Sequence, residues 1–181
     1  ILYNDRGERI WSAIPYGHLH KGWVGRIGPQ GELIATAVRI EDQTKTLEGR
    51  YYTGITEFAF EALTGKPVQL PYSIADTAPV DINGDGLHEI ITGMIDGGAT
   101  LIDRDGRLIK KIGGRIAMCS KIINHPGEQL LTYYPDGRVK IWMDANAEDS
   151  PAALKRYANP FYHANRRFPT KESILCILGG I

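Results

Sequence analysis

The sequence predicts an all-β protein, a partial β-propeller of about three four-stranded blades that is a fragment of a larger ring. Short runs of β-branched and aromatic residues alternate with glycine-containing turns, the pattern of antiparallel hairpins. Gly31, Gly86 and Gly127 hold matching places in successive turns, at spacings of 55 and 41 residues. A period of about 40–50 residues that carries about four strands is typical of a propeller blade. A β-sandwich also spaces its strands evenly and is the alternative.

Two kinds of hairpin alternate along residues 1–149, which we predict to form the blades. One kind has a tight turn that ends in glycine, and it recurs at residues 2–11, 58–68, 99–109 and 131–141. The other kind has a polar turn before an aliphatic strand, at residues 24–35, 79–91 and 120–131. Consecutive hairpins share strands, so hairpins of the first and second kind follow one another along the chain.

Residues 150–181 are predicted to hold a short helix and a loop that continue into a further, incomplete blade. Ser150 can cap the helix and Pro151 suits its first position, because proline lacks the N–H that would be unpaired there. The helix is expected to end at Tyr157, before Asn159 and the following proline. Residues 161–171 show no clear period and are predicted to form a loop or a broken blade edge.

Composition excludes several classes of protein. The 181 residues contain 21 Lys+Arg and 21 Asp+Glu, and a net charge of zero disfavours binding to nucleic acid. No apolar run approaches the ~20 residues that span a bilayer. Two cysteines are too few for a disulfide scaffold or a zinc ribbon. The chain opens at Ile1 on a strand-like run, so we expect a piece of a longer protein whose missing blades complete the ring.

Residues 81–89 have the spacing of a calcium-binding loop. Oxygen-bearing side chains stand at positions one, three and five, glycine at six and a carboxylate at nine, as such a loop needs. The predicted ligands are the side chains of Asp81, Asn83, Asp85 and Glu89 and the carbonyl of Leu87. Thr92 at position twelve argues against an EF-hand, so a Ca²⁺ ion would clamp a blade turn. The alternative is an empty Asp/Asn/Gly turn. We expect His88 to lie on the surface.

Residues 80–93 resemble the FG-GAP type of calcium-binding propeller repeat. The surrounding chain resembles more loosely the rhamnogalacturonan lyase and ulvan lyase group of polysaccharide lyases, through the Gly-His segment at 14–23 and the phrase at 60–66. This resemblance implies a secreted, calcium-stabilised propeller, extracellular or periplasmic, that acts on an acidic polysaccharide. The first and third repeats lack the carboxylates, so no Ca²⁺ is implied there.

A cluster of polar and aromatic residues after position 15 has the parts that lyase chemistry needs. β-Elimination on a uronate requires a clamp for the carboxylate, a base for the C5 proton and an acid for the leaving oxygen. In an extended chain His18 and His20 share a face, and either is a candidate base. Tyr16 is the candidate acid and Arg26 the clamp. Candidate substrate-binding residues are Lys21 and Trp23, whose indole would stack on a sugar ring. The alternative is that both histidines only contact solvent.

A second aromatic and basic cluster lies near the end of the chain and suits an anionic sugar. Its candidate substrate-binding residues are Tyr162, His163, Arg166 and Arg167. A solvated loop is the alternative, and net neutrality disfavours nucleic acid as its partner.

These observations predict a polysaccharide lyase that cleaves a uronate-containing polysaccharide by β-elimination. The rival is a non-catalytic FG-GAP propeller that serves as a carbohydrate-binding or adhesion module. A hydrolase would need two carboxylates across a sugar, and no convincing pair stands outside the calcium loop.

Overall fold

A computed structural model describes residues 1–13, 17–46, 49–93 and 98–165. Strands dominate this part of the chain, and two short helices follow them. The strands are β1 (Leu2–Tyr3), β2 (Arg9–Trp11), β3 (His18–Lys21), β4 (Val24–Arg26), β5 (Leu33–Thr46), β6 (Gly49–Glu61), β7 (Thr77–Val80), β8 (Glu89–Thr92), β9 (Thr100–Ile102), β10 (Leu108–Lys111), β11 (Arg115–Ser120), β12 (Gln129–Tyr133) and β13 (Val139–Trp142). The helices are α1 (Pro151–Tyr157) and α2 (Pro160–Asn165).

The strands form four antiparallel sheets in chain order. A hairpin of β1 and β2 comes first. In sheet A, β5 pairs with β3 and β4 along one side and with β6 along the other. Sheet B is the four-stranded meander β7-β8-β9-β10, and sheet C is the three-stranded meander β11-β12-β13. The all-β fold is confirmed. The turns of the hairpins β1-β2, β4-β5, β7-β8, β9-β10, β11-β12 and β12-β13 contain the glycines that the sequence pattern singled out.

Sheet A departs from the regular hairpin pattern because β5 and β6 are long. Their register runs from Ile34 opposite Glu61 to Thr46 opposite Gly49. The predicted hairpin at 58–68 closes only as a single bridge between Phe60 and Pro67. The sequence analysis did not anticipate this long ribbon, since it contains no turn glycine pattern of the repeated kind.

One hydrophobic core runs through sheets A, B and C. Its largest fully buried side chains include Ile34 of sheet A, Ile90 and Ile91 of sheet B and Leu130 of sheet C. β8 carries consecutive buried aliphatic residues because both of its faces are covered, whereas burial alternates along residues 33–40 of β5. The successive sheets therefore bury apolar surface against one another, which provides the main favourable free energy of folding.

Helix α1 begins as the sequence predicts. The Ser150 hydroxyl accepts a hydrogen bond from the Ala153 N–H at 3.1 Å, with Pro151 in the first turn. The prediction of a loop over residues 161–171 is corrected for residues 161–165, which belong to α2. The Asn159 side chain accepts a hydrogen bond from the Phe161 N–H at 2.8 Å and so caps this helix as Ser150 caps the first.

In the described part of the chain, no helix is long and apolar enough to cross a membrane.

Gly127 provides a direct test of the contact between sheets B and C. It has φ +69°, and a Cβ there would overlap the carbonyl oxygen of Ile82. Gly137 has φ +86° with nothing within 4 Å of a Cβ. We expect Gly137→Ala to lower the free energy of unfolding by about 1–2 kcal/mol, from the left-handed backbone alone. Gly127→Ala should lose roughly 1–3 kcal/mol more, because the sheets must separate.

Urea unfolding of both variants measures this difference. Equal losses in the two variants would mean that sheet C does not press on sheet B at Gly127.

Candidate functional site

Sheets A and B are joined by a pair of hydrogen bonds at Arg26 and His88. The backbone N–H of His88 donates to the Arg26 carbonyl at 3.1 Å. The backbone N–H of Arg26 donates to Nδ1 of His88, also at 3.1 Å. The imidazole is 2% exposed, so the expectation that His88 lies on the surface is wrong. Its ring satisfies a backbone amide that the packing of the sheets hides from water.

Sheets B and C are joined by the same pair of hydrogen bonds, made by different residues. The backbone N–H of Glu128 donates to the Asp81 carbonyl at 2.7 Å. The backbone N–H of Asp81 donates to Oε2 of Glu128 at 2.9 Å. Asp81 follows β7 as Arg26 ends β4, and Glu128 precedes β12 as His88 precedes β8. We call this two-bond arrangement the joint, and it relates successive sheets head to tail.

On the far side of sheet C, helix α2 occupies the place that the next sheet occupies in the two joints. The backbone N–H of Lys121, just after β11, donates to the hydroxyl of Tyr162 at 2.8 Å. The same hydroxyl donates to Oε1 of Glu128 at 2.9 Å and lies 3.2 Å from the Ser120 hydroxyl. Burial, together with the adjacent Glu128 carboxylate, raises the pKa of Tyr162, so the hydroxyl keeps its proton. A side chain from a helix thus supplies the acceptor that the next sheet supplies elsewhere.

The Asp81 carboxylate closes the loop between β7 and β8 from inside. Oδ1 accepts the Gly84 N–H at 2.9 Å and Oδ2 accepts the Gly86 N–H at 3.0 Å. Oδ2 also accepts Nη1 of Arg156, from helix α1, at 2.9 Å. Nη2 of Arg156 donates to the Gly86 carbonyl at 2.6 Å. The Asp81 and Arg156 side chains are 0% and 2% exposed, so this ion pair is fully buried.

Three further oxygen-bearing side chains of the loop converge on one another. The Asn83 side-chain amide donates to Asp85 Oδ2 and to Glu89 Oε1, each at 3.3 Å. Asp85 Oδ1 accepts the Leu87 N–H at 2.7 Å. Glu89 Oε2 accepts the Ile82 N–H at 3.1 Å. The polar turn therefore brings the candidate ligands at positions three, five and nine together, while position one is bound by Arg156.

The third turn contains a neutral counterpart of Glu89. Gln129 Oε1 accepts the Ile122 N–H at 2.7 Å and the Ile123 N–H at 3.1 Å. It lies seven residues after Ile122, as Glu89 lies seven after Ile82. An amide is therefore sufficient to close such a turn, and the negative charge of Glu89 is not needed for that purpose.

Burial changes the acid–base properties of the loop. Desolvation raises the pKa of Asp81 to about 6, although Arg156 opposes the change. Desolvation likewise raises the pKa of Glu89 to about 7. Desolvation also lowers the pKa of His88 well below its ordinary value, and the Arg156 and Arg26 charges act in the same direction. His88 is thus neutral at pH 7, as its role as an acceptor requires.

The donor set of the loop fits a hard divalent cation in part. Carboxylate and amide oxygens are the ligands that Ca²⁺ prefers. Asp85 and Glu89 would hold the ion, and Asp81 would be shared with Arg156. Asn83 would have to turn its Oδ1, which accepts the Asp85 N–H at 2.9 Å, toward the ion. Among the described residues no group of three or more His, Cys, Asp or Glu side chains is arranged to hold a metal. When bound, Ca²⁺ would supply positive charge against carboxylates that burial otherwise drives toward protonation.

The predicted catalytic cluster is only partly described. Tyr16 lies outside the described residues, as do the side chains of His18 and His20, whose backbone forms most of β3. Arg26 is half-buried, and its Nη1 donates to the Gly31 carbonyl at 3.4 Å. The Lys21 ammonium lies 3.8 Å from the Asp76 carboxylate.

Two predicted substrate-binding aromatics are core residues. The Trp23 ring is 3% exposed and its Nε1 donates to the Thr77 hydroxyl at 3.2 Å. Tyr162 is 2% exposed. Neither ring has an open face for a sugar, which corrects both expectations. His163 is exposed on α2, whereas Arg166 and Arg167 lie outside the described residues.

Arg156 and Glu128 are the important residues that the sequence analysis missed. Arg156 lies 75 residues from Asp81 and Glu128 lies 47 residues from it, so no local pattern connects them. A signal for Glu128 does exist, because it stands one place before Gln129 as His88 stands before Glu89. For Arg156 the only signal is its place on the same side of α1 as Ala153, three residues earlier.

Glu89→Gln is expected to remove part of the pH dependence of stability. Because folding raises the pKa of Glu89 from 4.5 to about 7, the folded state binds more protons than the unfolded state between these values. Wild-type stability therefore falls as the pH rises through this range. The free energy of unfolding of the wild type, relative to Glu89→Gln, should fall by about 2–3 kcal/mol between pH 4 and pH 8.

Urea unfolding in chelator at several pH values measures this difference, in which the contributions of Asp81 and His88 cancel. If the free energies of unfolding of the wild type and of Glu89→Gln changed equally across this pH range, the raised pKa of Glu89 would be contradicted.

Comparison with protein-family models, with curated proteins and with solved structures finds no match to this chain. What the chain does is therefore inferred from the chemistry of its own side chains.

Proposed function

We propose that this chain is a run of blades from a non-catalytic, propeller-type module that binds an acidic polysaccharide or an adhesion partner. The supporting observation is the joint, which recurs at corresponding positions between sheets A and B and between sheets B and C. A head-to-tail contact that repeats along a chain generates a ring or an open array of units. Four-stranded antiparallel meanders such as sheet B are the units of propellers.

The polar groups of the joints favour a structural role over chemistry. Glu128, Tyr162 and His88 are each almost fully buried and hydrogen-bonded to backbone or to one another. A general acid or base must reach a proton on a bound substrate. These side chains instead hold consecutive sheets in register, which a scaffold for binding surfaces requires.

A structural Ca²⁺ at the Asp81–Glu89 loop belongs to the same proposal. Asp85 and Glu89 offer carboxylates beside the Asn83 amide, at the turn that carries one half of a joint. Neutralising these groups would favour the folded loop, because burial raises the pKa of Glu89 and leaves its charge costly. We infer that the ion strengthens the joint rather than activating a substrate.

The lyase remains the second candidate, and the position of β3 favours it. This strand pairs only with β5 among the described strands, so it lies at an edge of sheet A. Both His18 and His20 belong to it. Lys21 follows them, with its side chain 14% exposed and an acidic neighbour at Asp76. A uronate bound along this edge would lie beside the backbone of both candidate bases.

One experiment separates the two candidates. The chain is incubated with a uronate-containing polysaccharide or with a neutral glucan, and calorimetry reports binding while ultraviolet absorbance reports unsaturated product. We expect saturable binding to the uronate polymer without product. Formation of unsaturated product by the wild type, and its loss in His18→Ala or His20→Ala, would show that the chain belongs to a lyase and would contradict the non-catalytic module.

Absence of binding to both polymers would remove the polysaccharide as partner. Melting in chelator and in Ca²⁺ tests the cation separately. A melting temperature that rises with Ca²⁺ in the wild type, and less in Asp85→Asn, is expected. An unchanged melting temperature would remove the ion from the proposal.

A further inference from the structure

Arg156 is the feature of the loop that neither its spacing nor its resemblance predicts. Its guanidinium enters the turn from helix α1 and contacts the loop at two places, Asp81 at 2.9 Å and the Gly86 carbonyl at 2.6 Å. The side chain is 2% exposed. Within the described residues it is the only buried arginine or lysine.

The surroundings of the guanidinium are rich in negative charge. Asp81, Glu89 and Glu128 are all buried in or beside the loop. Lys121 is near, but its ammonium is paired with Asp149 at 2.7 Å. Buried carboxylates of this kind need a positive partner, since each charge loses its hydration on folding. Arg156 supplies that charge to Asp81 without any metal.

The backbone before α1 follows the same loop. The Glu148 N–H donates to the Asn83 carbonyl at 3.1 Å, and the Ser150 N–H donates to the Gly84 carbonyl at 2.8 Å. A Cβ on Gly86 would lie 2.8 Å from the Cβ of Ala152. The helix is therefore seated directly on the turn, and a change in the turn alters the seat of the helix.

We propose that Arg156 is the resident cation of the loop and that it competes with a divalent cation for Asp81. This proposal rests on the proposed Ca²⁺ site. A cation that draws Asp81 toward Asn83, Asp85 and Glu89 takes a carboxylate from the guanidinium and adds a repulsive charge beside it. Binding of the ion and docking of α1 are thereby coupled, and the coupling is reciprocal.

As a consequence, the docking of α1 on the loop depends on whether the cation is bound. With Arg156 seated, the loop keeps its shape without metal and binds Ca²⁺ weakly. With Ca²⁺ bound, the ion pair to Asp81 weakens and α1 opens more often. Removal of the guanidinium makes the loop depend on the metal instead.

Arg156→Gln tests the competition, with Arg138→Gln as the matched control. Arg138 pairs with Asp136 on the surface at 2.7 Å, and its side chain is 61% exposed. We expect Arg156→Gln to bind Ca²⁺ at least about tenfold more tightly than the wild type by calorimetry, which corresponds to about 1.4 kcal/mol of coupling. Its melting temperature should be lower in chelator and rise more with Ca²⁺. Arg138→Gln should match the wild type.

A second measurement keeps the proposal testable if Arg156→Gln does not fold. Hydrogen exchange of the wild type is followed with and without saturating Ca²⁺, and amides of α1 should exchange severalfold faster with the ion. Arg156→Lys, which keeps the charge but loses the two-pronged contact, should bind Ca²⁺ with intermediate affinity.

Three outcomes would overturn the proposal, and they are distinguishable. Equal Ca²⁺ affinity in wild type and Arg156→Gln would leave Arg156 as a structural ion-pair partner, while the proposed Ca²⁺ site stands. Weaker binding in Arg156→Gln would mean that the guanidinium supports the site rather than competing for it. Absence of binding in both proteins would remove the Ca²⁺ site itself, and the competition with it.

Discussion

The rest of the structure depends on the buried hydrogen bond between the Asp81 amide and the Glu128 carboxylate. It fixes sheet C against sheet B, and the same Glu128 accepts the Tyr162 hydroxyl that docks α2. The carboxylate of Asp81 closes its own turn through the Gly84 N–H and forms the ion pair with Arg156. The pair of Asp81 and Glu128 thus connects two sheets and both helices. Removal of either side chain would leave several buried polar groups unpaired at once, each at a cost of about 1–3 kcal/mol.

Buried charges are an expensive way to join sheets whose cores are aliphatic. A fully buried ion pair repays its desolvation only when every remaining donor and acceptor is satisfied. The Asp81 carboxylate meets this condition through two backbone amides and a guanidinium, whereas Nε of Arg156 is buried without a hydrogen-bond partner among the described residues. Apolar packing alone permits sheets to slide. We therefore regard the polar joints as the source of register, whereas the aliphatic core provides most of the stability.

Local chemistry explains which parts of the molecule could be predicted from its sequence. Glycine turns and the Ser150 cap act within a few residues, so the first helix and six of the seven predicted hairpins form as expected. The hairpin at 58–68 and the long β5–β6 ribbon are the exceptions. The converging side chains of Asn83, Asp85 and Glu89 lie in one short loop, and their proximity follows from its spacing. Burial of Trp23 was not predictable in this way, because its partner Thr77 lies 54 residues further on.

The roles of the long-range polar residues are hidden for the same reason. His88, Glu128 and Tyr162 differ chemically although each binds a backbone amide at a corresponding place. An imidazole, a carboxylate and a phenol share only a hydrogen-bond acceptor, so no residue type recurs for a pattern to detect. Their equivalence is visible only in the structure, where each side chain binds the amide at the same position relative to the strands of its sheet.

Native-state hydrogen exchange of the three amides bound at these places, those of Arg26, Asp81 and Lys121, tests the central claim most directly. The account predicts that all three exchange slowly, with opening free energies close to that of the strands β8 and β12. This result would mean that the joints open only when the sheets come apart. Fast exchange at these amides, while the strand amides remain protected, would contradict the claim that the joints hold the sheets together.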